Sequence, residues 1–211
     1  MKSSALIFCL LAVSLHGEFE ESMLASTEIR LLSLLPKDDL VIYSGGESVD
    51  IPLSDDQFSP LAEVDLPLVL EVVGSTTRIE WMPSEGTIGP WALIVHNSVS
   101  MDFPAVYAFR FSDVISKPNS LAIVNVSGID LEGEVLDEFQ KLKSTAQPLS
   151  LDAGKRFRCE LHSVDHRYYC EYSVATGEEG WRWLLVISKP FIRNSGILVP
   201  KMIAIPPPGE G

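Results

Sequence analysis

Apolar residues in this chain fall in runs of four to eight, often alternating with polar ones, and Pro and Gly interrupt them at short intervals. Val, Ile, Leu, Tyr and Trp dominate the runs, a pattern that predicts a sheet protein with short strands. The strands expected in the first half are Ile29–Leu35, Leu40–Tyr43, Ser48–Pro52, Leu66–Val73, Thr77–Trp81, Trp91–His96 and Val106–Phe111. The second half adds Leu121–Val126, Leu131–Leu136, Lys141–Thr145, Arg156–Leu161, Tyr168–Val174, Trp181–Ile187 and Ile197–Ile205. Gly45-Gly46 between two runs is a tight-turn signal, because both residues accept positive φ. Only Ser22–Leu35 and Leu136–Lys143 compete as helices; in the latter, Leu136, Phe139 and Leu142 recur at three-residue spacing.

The two halves echo each other. A shift of 92 positions lays Ile29–Leu34 on Leu121–Val126, Asp38 on Asp130, and Trp91–Val95 on Trp183–Ile187. Between these blocks, Pro52–Asp56 matches Pro148–Asp152 at a shift of 96, which calls for a hairpin four residues longer in the second half. The expected architecture is all-β, with two tandem immunoglobulin-like β-sandwich units at residues 18–111 and 121–205. Residues 112–120, with their Lys-Pro-Asn turn, form the linker, and the Pro-rich tail at 206–211 stays extended and disordered.

The N-terminus reads as an export signal over residues 1–17. Lys2 supplies a positive start, Ala5–Leu15 is an uncharged apolar stretch of eleven residues, and Glu18-Phe19-Glu20-Glu21 follows at once. Eleven helical residues cover ~17 Å, too short for a hydrocarbon core of ~30 Å. The expectation is a cleaved signal peptide and a soluble mature protein, periplasmic or extracellular, with no stable membrane insertion. A formal net charge of −13 and the lack of any basic run exclude nucleic acid as a partner, since phosphate binding needs clustered Lys and Arg.

Ile29-Arg30-Leu31-Leu32-Ser33-Leu34 and Leu121–Ser127, with Leu151-Asp152-Ala153-Gly154-Lys155 downstream, resemble segments of uncharacterised exported bacterial β-sandwich domains of immunoglobulin-like type. The resemblance covers about half of each unit. It implies a fold, and it carries over no site residues.

The densest chemical cluster is Cys159, His162, His166 and Cys170. Phe157, Cys159 and Leu161 alternate with charged residues, and so do Tyr168, Cys170 and Tyr172 with their neighbours. Folded as a hairpin about Ser163–His166, the segment sets Cys159 opposite Cys170, Leu161 opposite Tyr168 and Phe157 opposite Tyr172. A disulfide between Cys159 and Cys170 is then the leading reading in an exported chain. Reduced, packed thiols and a Cys2His2 zinc site are the alternatives, the last disfavoured because His166 lies about 10 Å from the cysteine pair.

Trp81, Trp91, Trp181 and Trp183 suggest a sugar-stacking platform, with Trp181 and Trp183 on one strand face as the candidates for ligand stacking, although tryptophans that open apolar runs, as Trp91 and Trp183 do, more often belong to a core. Asp130, Glu132 and Glu134 line one strand face and could attract Ca²⁺, but no calcium-loop spacing accompanies them, and a solvated face is the ordinary reading. His96 ends an apolar strand, where a structural role is the ordinary one. Asn125-Val126-Ser127 is a glycosylation sequon placed inside a strand. No nucleophile elbow, phosphate-binding glycine loop or His-Glu-x-x-His pair occurs.

The expected role is that of a non-enzymatic structural or protein-interaction module, with no cofactor and no metal. Its partner would be another envelope or extracellular protein. The alternative is a carbohydrate-binding module that uses exposed tryptophans.

Overall fold

The computed structural model describes residues 26–35, 40–54, 56–74, 76, 78–83, 89–97, 104–115, 118–144, 146–152, 156–163, 167–173, 182–188 and 199–205. The side chains of residues 152, 156–157 and 167–173 fall outside that description. The expected signal peptide, the Pro-rich tail and Trp181 therefore lie outside the described residues.

The described elements are strands, apart from one helical turn. The first half contains β1 (Ser26–Ser33), β2 (Leu40–Ser44), β3 (Glu47–Val49), β4 (Ala62–Asp65), β5 (Leu68–Val72), β6 (Arg78–Trp81), β7 (Trp91–Asn97) and β8 (Pro104–Arg110). Helix α1 (Phe111–Ile115) follows. The second half contains β9 (Ser120–Asn125), β10 (Leu131–Val135), β11 (Glu138–Leu142), β12 (Leu149–Asp152), β13 (Arg156–His162), β14 (Arg167–Ser173), β15 (Arg182–Ser188) and β16 (Val199–Ile205). The two stretches that could have been helical are strands: β1 occupies one and β11 the other. Both are held by ladder pairing, which outweighs local spacing.

Each half folds into two four-stranded sheets with one shared topology. The first half has an inner sheet ordered β4-β1-β7-β8 and an outer sheet ordered β3-β2-β5-β6. The second half repeats both orders as β12-β9-β15-β16 and β11-β10-β13-β14. Its one parallel pairing also recurs: Ile29 aligns with Trp91, and Leu121 aligns with Trp183, both members displaced by 92 residues.

The match of Pro52–Asp56 to Pro148–Asp152 does not hold. Ile29 pairs with Ala62 in β4, and its counterpart Leu121 pairs with Leu151 in β12. The equivalent strands are thus 89 residues apart, and the second half is three residues shorter here rather than four longer. The residues from Pro52 to Ser54 form no strand at all.

Three apolar clusters glue the sheets into layers. One joins the inner and outer sheets of the first half and includes Ile29, Leu31, Leu40, Ile42, Leu70 and Leu93. Another does the same in the second half through Leu121, Ile123, Leu161, Trp183 and Leu185. The third lies between the halves. It packs Leu32, Ala92, Ile94, Tyr107 and Phe109 against Ala122, Val124, Leu184, Val186 and Ile203. The order of layers is therefore outer, inner, inner, outer. β9 and β15 are buried along their whole length, the expected consequence of covering a sheet on both faces.

The segment expected to be a linker takes part in this seam. α1 buries Phe111 and Val114 in the central cluster, and Phe58 meets Phe111 edge to face at 5.6 Å. The Arg30 guanidinium lies 5.2 Å from the centre of the same Phe111 ring. The two halves are thus packed on each other, not merely tethered.

Candidate functional site

The β13–β14 register places Cys159 opposite Cys170, Leu161 opposite Tyr168 and Phe157 opposite Tyr172. The Cys159 side chain is 2% exposed and belongs to the apolar cluster of the second half. The Cys170 side chain lies outside the described residues. His162 falls on the other face of β13 from Cys159, as strand alternation requires. Its Nε2 stands 3.6 Å from Glu132 Oε1 at the surface. That removes His162 from a metal set with Cys159; His166 lies outside the described residues.

The tryptophans are core residues wherever they are described. Trp183 is 0% exposed within the apolar cluster of the second half, so both faces of its indole are covered. The ligand stacking expected of Trp181 and Trp183 is therefore closed to Trp183. Burial on both sides of the inner sheet is the physical reason. Trp81 and Trp91 are each 9% exposed and meet edge to face at 5.7 Å.

A cleft of about 260 Å³ opens beside this Trp81–Trp91 pair. Met82, Phe109, Arg110, Asp113 and Gln147 also line it, so it sits where the first half, α1 and the second half converge. Trp81 and Trp91 were expected either as part of a sugar-stacking platform or as core residues, and both are core residues here. Arg110, Asp113 and Gln147 carry no sequence signal that would join them to the tryptophans.

The acidic row of β10 is engaged by neighbouring groups. Asp130 Oδ1 accepts a hydrogen bond from Ser144 N at 2.9 Å. Glu132 is flanked by Lys141 Nζ at 3.9 Å and by His162. Arg158 Nη2 lies 3.7 Å from both Glu134 and Asp137. Lys141 and Arg158 on the flanking strands thus pair with Glu132 and Glu134. These pairs are exposed, so each contributes little stability. Together they make the outer face of the second half a lattice of alternating charge, from which Phe139 protrudes, 58% exposed.

The buried polar groups hold the ends of the central strands. His96 is 4% exposed, and its Nδ1 lies 3.0 Å from the Asn97 carbonyl oxygen. Burial pushes its pKa below the usual histidine value, partly opposed by that backbone contact. Asn125 donates through Nδ2 to the Ile129 and Leu142 carbonyls at 2.8 and 2.9 Å, and its Oδ1 accepts from Ser127. The amide nitrogen of the sequon is therefore consumed inside the fold. In the first half, the equivalent Ser33 hydroxyl accepts from Leu35 N at 3.2 Å. Both residues close the same strand end, with different chemistry.

No family model matches the chain, and no curated protein is significantly similar to it.

Proposed function

We propose that this protein acts by contact and not by turnover, as an exported structural or protein-interaction module built from two immunoglobulin-like β-sandwich units. The observation that carries the reading is the layering. The inner sheets of the two halves are packed against each other, which leaves outer faces, sheet edges and loops for recognition. Among the described residues, His96, Asn125 and Asp130 are tied to backbone groups, and Glu132 and Glu134 are paired with Lys141 and Arg158. The outer face of the second half, with its charge lattice and protruding Phe139, is the surface best suited to a protein partner, since an exposed aromatic among charges is a common anchor.

Export rests on the sequence of Lys2 and Ala5–Leu15. Among the described residues, no helix is long and apolar enough to cross a membrane. The partner on this reading is another envelope or extracellular protein. Pull-down from envelope extract with the wild-type chain and with Phe139→Glu, Arg158→Glu tests it. Capture of one protein by the wild type and its loss in the variant support the reading. Equal capture by both, or turnover of a substrate by the purified monomer, contradicts it.

A further inference from the structure

We propose that Cys159 and Cys170 form a cross-strand disulfide that fastens β14 to β13 where the first half relies on tryptophan packing. Three observations converge. The first is the register, in which the two cysteines are directly opposed. Directly opposed residues of antiparallel strands have Cα atoms about 4.5–5.5 Å apart, inside the range a disulfide spans. The second is the face: Cys159 points into the apolar cluster, and a directly opposed residue shares its face.

The third comes from the repeat. In the first half, Ser44 immediately precedes the hairpin turn and pairs with Leu68, which pairs with Trp81. In the second half, Val135 holds the same place before the turn and pairs with Cys159, which pairs with Cys170. Cys159 thus stands where the first half has Leu68, and Cys170 where it has Trp81. Trp81 fixes the edge strand β6 by meeting Trp91 of the inner sheet. The counterpart of Trp91 is Trp183, buried in the second half without a tryptophan at the Trp81 position.

The oxidant is a disulfide-bearing small molecule or protein of an oxidising compartment. One cysteine thiolate attacks a sulfur of the donor, forming a mixed disulfide and expelling the first donor thiol. The second cysteine, as thiolate, attacks the sulfur of its partner cysteine and expels the second donor thiol. One donor disulfide is reduced to two thiols, and the two cysteine thiols are oxidised to one bond, their protons passing to the departing thiolates. The geometry stands without the export reading, which supplies only the oxidant.

The test uses the full chain carrying Cys9→Ser, equilibrated in glutathione disulfide and glutathione. The protein is then unfolded in guanidinium, alkylated without reductant and digested. The expected product is one cross-linked species joining the Cys159 and Cys170 peptides, lighter by two hydrogen masses than their sum and separated by reductant. Unfolding of the bonded form should be roughly tenfold slower than that of the reduced form. Alkyl groups or glutathione on either cysteine overturn the proposal, as do equal unfolding rates. A chain that bonds in this buffer yet is recovered from cells with alkylatable thiols supports the geometry and contradicts export.

Discussion

The Tyr107 hydroxyl, on the inner sheet of the first half, donates a hydrogen bond to the backbone carbonyl of Ala146 in the second half. The bond crosses the seam beside the central apolar cluster, and desolvation pushes the Tyr107 pKa up to about 12. Tyr107→Phe should therefore cost about 1 kcal/mol in urea unfolding at neutral pH, the net value of one intramolecular hydrogen bond. The folded protein holds this phenol neutral beyond the pH at which the unfolded chain ionises. Its stabilising effect is complete below the ordinary phenol pKa of 10.0 and fades as pH rises toward about 12. The Phe variant should lack that alkaline loss, and parallel alkaline curves for both proteins would contradict the assignment.

His96 gives the opposite pH dependence. Its depressed pKa means that the unfolded chain takes up the proton more readily than the folded protein does. The contribution is complete above the ordinary histidine pKa of 6.5 and declines as pH falls below that value toward the folded pKa. His96→Gln should flatten stability below about pH 6.5 relative to wild type. Denaturation midpoints across that window check it, and an unchanged slope would assign the acid sensitivity elsewhere.

Gly133 sits within β10 at φ +154°, and a Cβ there would lie 2.1 Å from the Glu160 carbonyl oxygen of the neighbouring strand. Backbone on backbone cannot yield as a flexible side chain can. Gly133→Ala is expected to cost about 3 kcal/mol or more, enough to threaten folding of a marginally stable domain. Thermal unfolding measures it; a loss under about 1 kcal/mol would contradict the close approach.

The two equivalent hairpins turn through positive φ with different residues. Gly45 and Gly46 do so at 55° and 89°, whereas Leu136 and Asp137 adopt 53° and 64°. A side chain at positive φ carries a steric penalty that Asn-Gly avoids. Leu136→Asn with Asp137→Gly should raise stability by about 0.5–1 kcal/mol, offset in part by lost packing of Leu136 on the apolar cluster. A lower melting temperature would show that the packing dominates.

Sheet character and the repeat were readable because strand alternation and the offset of 92 are local signals. Trp91–Val95 and Trp183–Ile187 carry both, and their partners Ile29 and Leu121 sit at the same offset. The Cys159–Cys170 register was readable for the same reason, since a short hairpin leaves few alternatives. β4 and β12 are not legible as strands because each is only four residues long, with two apolar positions apiece. Their identity lies in pairing with β1 and β9, which is a long-range property. The seam was hidden too. A continuous apolar strand announces burial on both faces without saying what covers the second face, and here that cover is the other half of the same chain. Residues gathered at the cleft, such as Trp91 and Gln147, are distant in sequence and share no motif.

Native-state hydrogen exchange on the full chain tests the layered arrangement most directly. If the halves unfold as one packed unit, amides of β7 and β15 should be the slowest in the molecule and exchange at matching rates. Fast exchange in β7 alongside protected β15, or slowest exchange in the outer strands β5 and β13, would contradict the packing of the two halves through their inner sheets.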